Sequence, residues 1–378
     1  MRPRRAFTGL LGVVLLPGTL AAQRLDRSVV AARYESYSFD PGLPFTSVSE
    51  LTIPVGVDLS LGRYVGLSIS TAYARIEIDS ASTSMSLNGI LDTEVRLGVN
   101  IIPGRLVAIA TGVVPTGLKT LEQDQAAILG ALASDVIGFA APSIGTGGSF
   151  GGGVVAAFPL GQFALGLGGT YKYALEYQPF EGDVGDLRIG PEFRGRVGLE
   201  GPLASRTYLR LAGVVAARGK DRLDGVVQNG VGHRVIGYVA VNQGFGNHQV
   251  TIYGFDVYRG SAQIEATATG AARLPKGNLI AGGTRIDLRL GQATTVTPRG
   301  EIRHSTAAPP FDPTNPNAGM RRQGTAVRFG IDLRQQLAPQ FAIVVQGDGL
   351  VGDVRQPAGT AFTSFDGYRA GLFLHVTP

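Results

Sequence analysis

The chain has 378 residues, no cysteine and a formal net charge of +5. Three of those charges (Arg2, Arg4 and Arg5) belong to an N-terminal leader, which leaves about +2 on the remainder and removes the case for nucleic-acid binding. An exported chain without cysteine has no disulfide staples, and no later run of about 20 unbroken apolar residues exists to make a helical membrane protein.

The leader covers residues 1–22. Met1-Arg2-Pro3-Arg4-Arg5 is a basic head, Ala6 to Leu20 is an apolar run broken by Thr, Gly and Pro, and Leu20-Ala21-Ala22 supplies small residues at a cleavage point. That is the build of a secretory signal peptide, too short and too interrupted for a spanning helix. Residues 23–378 read as a single domain, because no linker divides them. The 55 glycines are spread without a collagen period and suit many strands joined by tight turns.

The dominant signal after the leader has period two, which sends alternate side chains to opposite faces of a strand. In 50–61, Leu51, Ile53, Val55, Val57, Leu59 and Leu61 oppose Glu50, Thr52, Pro54, Gly56, Asp58 and Ser60. In 91–101, Leu91, Val95, Leu97, Val99 and Ile101 oppose Asp92, Glu94, Arg96 and Asn100. Residues 118–147 break the alternation. Thr120 and Gln123 form a candidate capping box, and Leu121, Ile128, Leu129, Leu132, Val136 and Phe139 recur at helical spacing, which predicts an amphipathic helix over 121–139. The run Gly145 to Gly153 then returns the chain to the next strand. Glu176, Glu181, Asp183 and Asp186 cluster without the order of a calcium loop and read as a solvated acidic loop. In 187–199, Leu187, Ile189, Phe193, Val197 and Leu199 oppose Arg188, Glu192, Arg194 and Arg196. In 327–334, Val327, Phe329, Ile331 and Leu333 oppose Arg328, Asp332 and Arg334.

Connections alternate short and long. Short turns are expected at Gly62-Arg63, Pro103-Gly104-Arg105, Pro159-Leu160-Gly161, Gly201-Pro202-Leu203, Gly246-Asn247, Gly291-Gln292 and Ala338-Pro339. Long connections are expected near 79–84, 118–147, 177–186, 219–229, 260–277, 305–322 and 354–364. Tyr64, Phe158, Phe163, Tyr208, Phe245 and Phe341 sit beside the short turns, where an interfacial girdle belongs. An even strand number with tight turns at one end and longer loops at the other predicts an all-β fold. It is a closed antiparallel transmembrane β-barrel of about sixteen strands (fourteen is the alternative count) with one helical extracellular loop. A soluble sandwich or propeller would show shorter strands or a blade-length repeat.

The last strand, Arg369-Ala370-Gly371-Leu372-Phe373-Leu374-His375-Val376, resembles the C-terminal signal of bacterial outer-membrane β-barrel proteins, though Thr377-Pro378 stand where a terminal aromatic is usual. The whole alternation resembles the porin-like class of that family. Val113-Val114-Pro115-Thr116-Gly117, at a strand end before the insertion, is similar to transport barrels for fatty acids and aromatic compounds. The resemblance implies the cell outer membrane as location. It also implies outer-membrane lipid, the barrel-assembly machinery acting on the C-terminal strand, and a small-molecule solute as partners.

Facing the apolar side to lipid puts Arg96, Arg188, Arg194, Arg196, Arg210, Arg234, Arg285, Arg289, Arg299, Arg303, Arg328 and Arg334 in the lumen. Glu94, Glu192, Asp287, Glu301 and Asp332 join them, since an Arg facing mid-bilayer lipid costs about 2–4 kcal/mol. Only 4 of 34 basic residues are lysine, and the planar fork of arginine suits both cross-strand pairing and anion recognition. These charges are expected either to brace the wall in ladders or to favour anionic solutes, with Arg285 to Arg334 the preferred wall. The expected function is passive passage of small solutes through an Arg-rich lumen. The alternatives are a barrel for hydrophobic or aromatic compounds using the 121–139 helix as binding site, and a structural barrel without a through-path. No cofactor or metal is expected, and no enzymatic role. His233, His248, His304 and His375 lack metal-ligand spacing, and no nucleophile or phosphate-binding motif occurs.

Overall fold

The structure is a computed structural model. It describes the chain apart from residues 1–27, 62–63, 119, 123–124, 126–127, 129–130, 133, 142–144, 183–184, 229, 262–275, 309–318, 357–359 and 377–378. The leader, 1–22, therefore lies outside the described residues.

The wall begins with β1 (Ser28–Phe39), β2 (Ser47–Leu61) and β3 (Val65–Asp79). A strand in two pieces follows, β4 (Ser84–Ile90) and β5 (Thr93–Ile102), then β6 (Leu106–Val114), β7 (Ser149–Leu160) and β8 (Phe163–Ala174). The short pieces β9 (Glu176–Tyr177) and β10 (Leu187–Arg188) precede β11 (Glu192–Ala204) and β12 (Thr207–Arg218). After β13 (Arg222–Leu223) and β14 (Val226–Val227) come β15 (Arg234–Phe245), β16 (His248–Arg259), β17 (Gly277–Arg289) and β18 (Thr294–Ala307). The wall ends with β19 (Arg321–Ala338), β20 (Phe341–Arg355) and β21 (Phe362–Val376).

With β4 and β5 taken as one strand, sixteen antiparallel strands close into a barrel. The seam is β1 against β21, in continuous register from Ser28 opposite Val376 to Phe39 opposite Phe365. β9, β10, β13 and β14 make a separate four-stranded sheet from two long loops. Sequence and structure diverge at 187–199. Only Glu192 onward is wall strand, because Gly190-Pro191 interrupts the run and proline has no N–H for the ladder. Arg188 consequently lies in the loop sheet, on the Tyr173 hydroxyl at 3.1 Å and near Glu176 at 3.5 Å, away from the lumen wall. The 79–84 connection is also tighter than expected, a turn closed by Ser80 N donating to Thr83 O at 2.8 Å.

Directly opposed residues of an antiparallel pair share a face. From Arg369 at the seam, one row runs through Asp348, Gly330, Arg299, Arg285, Thr251, Asn242 and Tyr208. This face is inward, since Arg369 and its neighbours touch the segment threaded inside the barrel. The other face carries Val30, Ile69, Leu97, Val154, Val197, Val239, Ile280, Ile331 and Leu372, all exposed. Such an apolar belt on a closed cylinder meets the demand of hydrocarbon, which offers no partner to a free strand edge. Tyr64, Phe158, Phe245 and Phe341 are exposed beside the short turns. Tyr208 departs from that girdle. It is on the inward face, opposite Asn242, with Arg210 stacked on its ring at 5.6 Å.

Ile331 lies mid-strand on the belt, between Pro298 and Gly347. Ile331→Arg is expected to lower stability by about 2–4 kcal/mol, measured by reversible denaturant unfolding in lipid vesicles. Gln346→Arg, on the inward face, is expected to cost far less.

Candidate functional site

The segment between β6 and β7 is folded into the lumen. Asp92, at the break between β4 and β5, ties its two ends together. Gly117 N donates to Oδ1 at 3.1 Å and Thr146 N to Oδ2 at 2.8 Å. Inside, Leu121, Ile128, Leu132, Val136 and Phe139 are buried in one cluster with Tyr37 and Phe39 of β1, Val48 of β2, Ile76 and Ile78 of β3, Leu87 of β4, Leu350 of β20 and Phe365 of β21. Each such side chain, fully buried, contributes about 1.5–3 kcal/mol relative to exposure. The Phe139 ring meets Tyr37 edge-on, centroids 5.3 Å apart. Leu129, predicted for the same face, lies outside the described residues.

The predicted helix over 121–139 is much reduced. Among the described residues, helical backbone is found at Ile128, Ala131 and Leu132, while Leu121 bridges to Phe180 as a strand would. Leu121, Ile128, Leu132, Val136 and Phe139 pack on the barrel wall, and most of the described backbone there is not helical.

An irregular segment leaves many backbone groups to satisfy, and charged wall residues do it. Ala140 N donates to Glu35 Oε1 at 3.0 Å and Ala141 N to Glu50 Oε1 at 2.8 Å. Arg328 Nη2 donates to Ile137 O at 2.9 Å, and Arg369 Nη2 to Gly138 O at 3.1 Å. Arg369 also holds Glu35, Nε to Oε2 at 3.0 Å, with Tyr37 OH on the same oxygen at 2.7 Å. Gly138 is required where it stands: its φ is +65°, and a Cβ would lie 2.2 Å from Arg303 Nη1.

Three arginines of the wall predicted to carry anion preference are paired with carboxylates. Arg285 pairs with Asp287 at 2.6 Å and Arg303 with Glu301 at 2.7 Å. Arg299 bridges Asp332 at 3.1 Å and Asp348 at 2.7 Å. Arg289 and Arg334 flank Thr295 near the short-turn end of the same inward face. Elsewhere Arg194 pairs with Glu192, and Arg210 with Glu200 at 3.3 Å. Arg234 lies opposite Arg259, which approaches Asp135 of the inserted segment at 3.9 Å. Arg96 and Glu94 face inward opposite Thr111 and Val113. Glu35, Glu50, Asp92, Asp348 and Arg369 were not singled out from sequence. Glu50 and Asp92 stood on recognised polar faces, yet nothing local indicated what they hold.

The lumen is asymmetric. Where the segment lies against β1 and β19–β21, inward Glu35, Arg328, Asp348 and Arg369 are all buried. On β5 and β8, inward Glu94 and Lys172 are exposed. The acidic cluster of 176–186 has one member, Asp183, outside the described residues. Among the described residues no three His, Cys, Asp or Glu side chains are grouped as a metal site.

No protein-family model and no curated protein matches the chain. Similar solved structures are outer-membrane barrels. A loop L8 deletion mutant of OmpT from Vibrio cholerae is 8% identical, covering 91% of this chain and 98% of that one, at TM-score 0.39. A mutant of the Rh. blastica porin is 15% identical, covering 91% and 99%, at TM-score 0.36. OccK7 (OpdD) of Pseudomonas aeruginosa is 11% identical, covering 92% and 97%, at TM-score 0.40. The likeness is of barrel to barrel.

Replacing Arg369 with Met leaves buried Glu35 with only the longer Arg33 contact at 3.6 Å, and losing the closer partner of a buried pair costs up to about 3–5 kcal/mol. Vesicle unfolding of Arg369→Met is expected to show that loss, with Glu35→Gln/Arg369→Met recovering a large part of it. Gly138→Ala is expected to loosen the inserted segment, seen as faster limited proteolysis within 120–147.

Proposed function

We propose that the protein is an outer-membrane channel for passive passage of small solutes, through an Arg-rich lumen narrowed by the inserted segment. The observation that carries this reading is the uneven anchoring of that segment. Its apolar stripe and most of its charged latches engage β1–β4 and β19–β21, with Asp135 approaching Arg259 of β16 at 3.9 Å, while inward Glu94 of β5 and Lys172 of β8 stay exposed. A wall of sixteen strands encloses a lumen wide enough for a segment and a water-filled gap beside it. The hydrophobic-compound alternative needs the stripe free to bind substrate, whereas Ile128, Leu132, Val136 and Phe139 are already buried against the wall. A non-enzymatic role is part of the same proposal.

Purified protein in planar bilayers is expected to give discrete ion-conducting steps. Exchanging 121–141 for a short Gly-Ser linker is expected to raise single-channel conductance several-fold. Silent bilayers, with folding verified by heat-modifiable gel mobility, would overturn the channel and favour a structural barrel.

A further inference from the structure

We infer that Tyr208, Tyr238, Tyr253 and Phe255 form a stacking platform for uncharged saccharide rings on the inward face of β12, β15 and β16. The inference rests on the channel reading, and it names the class of solute that the gap beside the inserted segment passes.

Inward rings at the seam, Tyr37, Phe39 and Phe365, are buried in the apolar cluster of the segment. The four rings on β12, β15 and β16 lie outside that cluster and stay half-buried. Tyr208 shares the inward row with Asn242 and Thr251, and Tyr238, Tyr253 and Phe255 fall on the same alternation. Tyr238 stands directly opposite Phe255, with Tyr253 two residues along β16. Their neighbours across the ladder are small. Ala212 borders Tyr238, Ala281 borders Phe255, and Ala240 and Gly283 flank Tyr253. Ala240 and Ala281 are buried, as rings leaning over them require. Tyr253 lies close along the wall, for a Cβ at Gly283 would stand 2.6 Å from its Oη and 2.7 Å from its Cζ. Side chains laid along the wall turn their exposed parts toward the gap. The segment approaches this wall near its outer end, where Asp135 meets Arg259 at 3.9 Å.

The edges of the rings carry polar groups. Tyr253 Oη donates to Glu301 Oε2 at 2.7 Å, and Arg303 Nε donates to Oε1 at 2.7 Å. Arg210 lies over the Tyr208 ring at 5.6 Å and approaches Glu200 at 3.3 Å. Asn242 Oδ1 accepts from Gln249 Nε2 at 3.0 Å and from Thr251 Oγ1 at 2.7 Å. Donors and acceptors therefore stand side by side, with each arginine beside a carboxylate. A saccharide ring suits both halves of this surface. Its C–H face is drawn to the electron-rich face of an aromatic ring, and its hydroxyl rim replaces water on carboxylate, amide and guanidinium. An apolar aromatic solute would cover the same polar groups without replacing their water. An anion would meet a carboxylate beside each cation.

The test uses the full-length barrel in planar bilayers with three neutral probes: cellobiose, the acyclic polyol mannitol, and benzamide. Millimolar cellobiose is expected to interrupt the ion current reversibly, and mannitol and benzamide are not. Tyr238→Leu/Phe255→Leu, which keeps apolar bulk and removes two rings, is expected to weaken the cellobiose block about tenfold. Tyr238→Phe is expected to retain most of the block. Phe329→Leu, on the lipid face, is the control and leaves the block as it is. Calorimetric titration of cellobiose into detergent-solubilised protein, with folding verified by heat-modifiable gel mobility, is the second readout and should follow the same order. A conducting wild type that cellobiose neither blocks nor binds overturns the platform and leaves the channel standing, as does a block that survives the double substitution. Block by benzamide but not by cellobiose overturns the saccharide assignment. Cellobiose binding without conductance overturns the channel and leaves the platform.

Discussion

A strand in hydrocarbon cannot leave its edge unpaired, and the pairing of β1 with β21 meets that demand for the whole molecule. Residues more than 320 positions apart in the chain must meet in continuous register. Once they do, every strand has a face toward lipid and a face toward the lumen. The lipid face admits few charges, so the arginines and carboxylates of the wall are driven inward. There they lie at close quarters in a medium of lower dielectric than water, where an unpaired charge is costly. Arg299 between Asp332 and Asp348, and Arg303 on Glu301, are the consequence.

The same constraint explains the inserted segment. Backbone placed inside the barrel needs partners for its N–H and C=O groups, and a helix would have supplied them internally. Here Glu35 and Glu50 accept from Ala140 and Ala141, while Arg328 and Arg369 donate to Ile137 and Gly138. With wall side chains satisfying the segment, regular helix is unnecessary around 137–141, and the apolar stripe alone fixes which side faces the wall.

The sequence was informative where the physics is local. Period-two alternation marked the strands and the direction of Arg194, Arg299 and Arg328, and helical spacing marked the buried stripe Ile128, Leu132, Val136 and Phe139. It misled at Arg188, whose alternation continues that of β11 although Gly190-Pro191 separates them. It was silent on pairing, because a partner is set by register between distant strands. Arg299 finds Asp348 across 49 residues and Arg369 finds Glu35 across 334. Alternation places Arg285 to Arg334 on one face but does not show their partners: Asp332 and Asp348 come to Arg299 from β19 and β20, whereas Asp287 and Glu301 pair with Arg285 and Arg303 within one strand.

Compensation is uneven around the lumen. On β17–β21 and β1, Arg285, Arg299, Arg303 and Arg369 are held by carboxylates and Arg328 by backbone of the inserted segment, whereas Arg289 and Arg334 make no ion pair among the described residues. On β11, Glu192 holds Arg194, whereas Arg196 and, on β5, Arg96 make no ion pair among the described residues. The tightest compensation is at the seam, because Glu35 and Arg369 meet there across β1 and β21 and also bond the backbone of Ala140 and Gly138. The two strands that close the wall are therefore also the ones that hold the inserted segment.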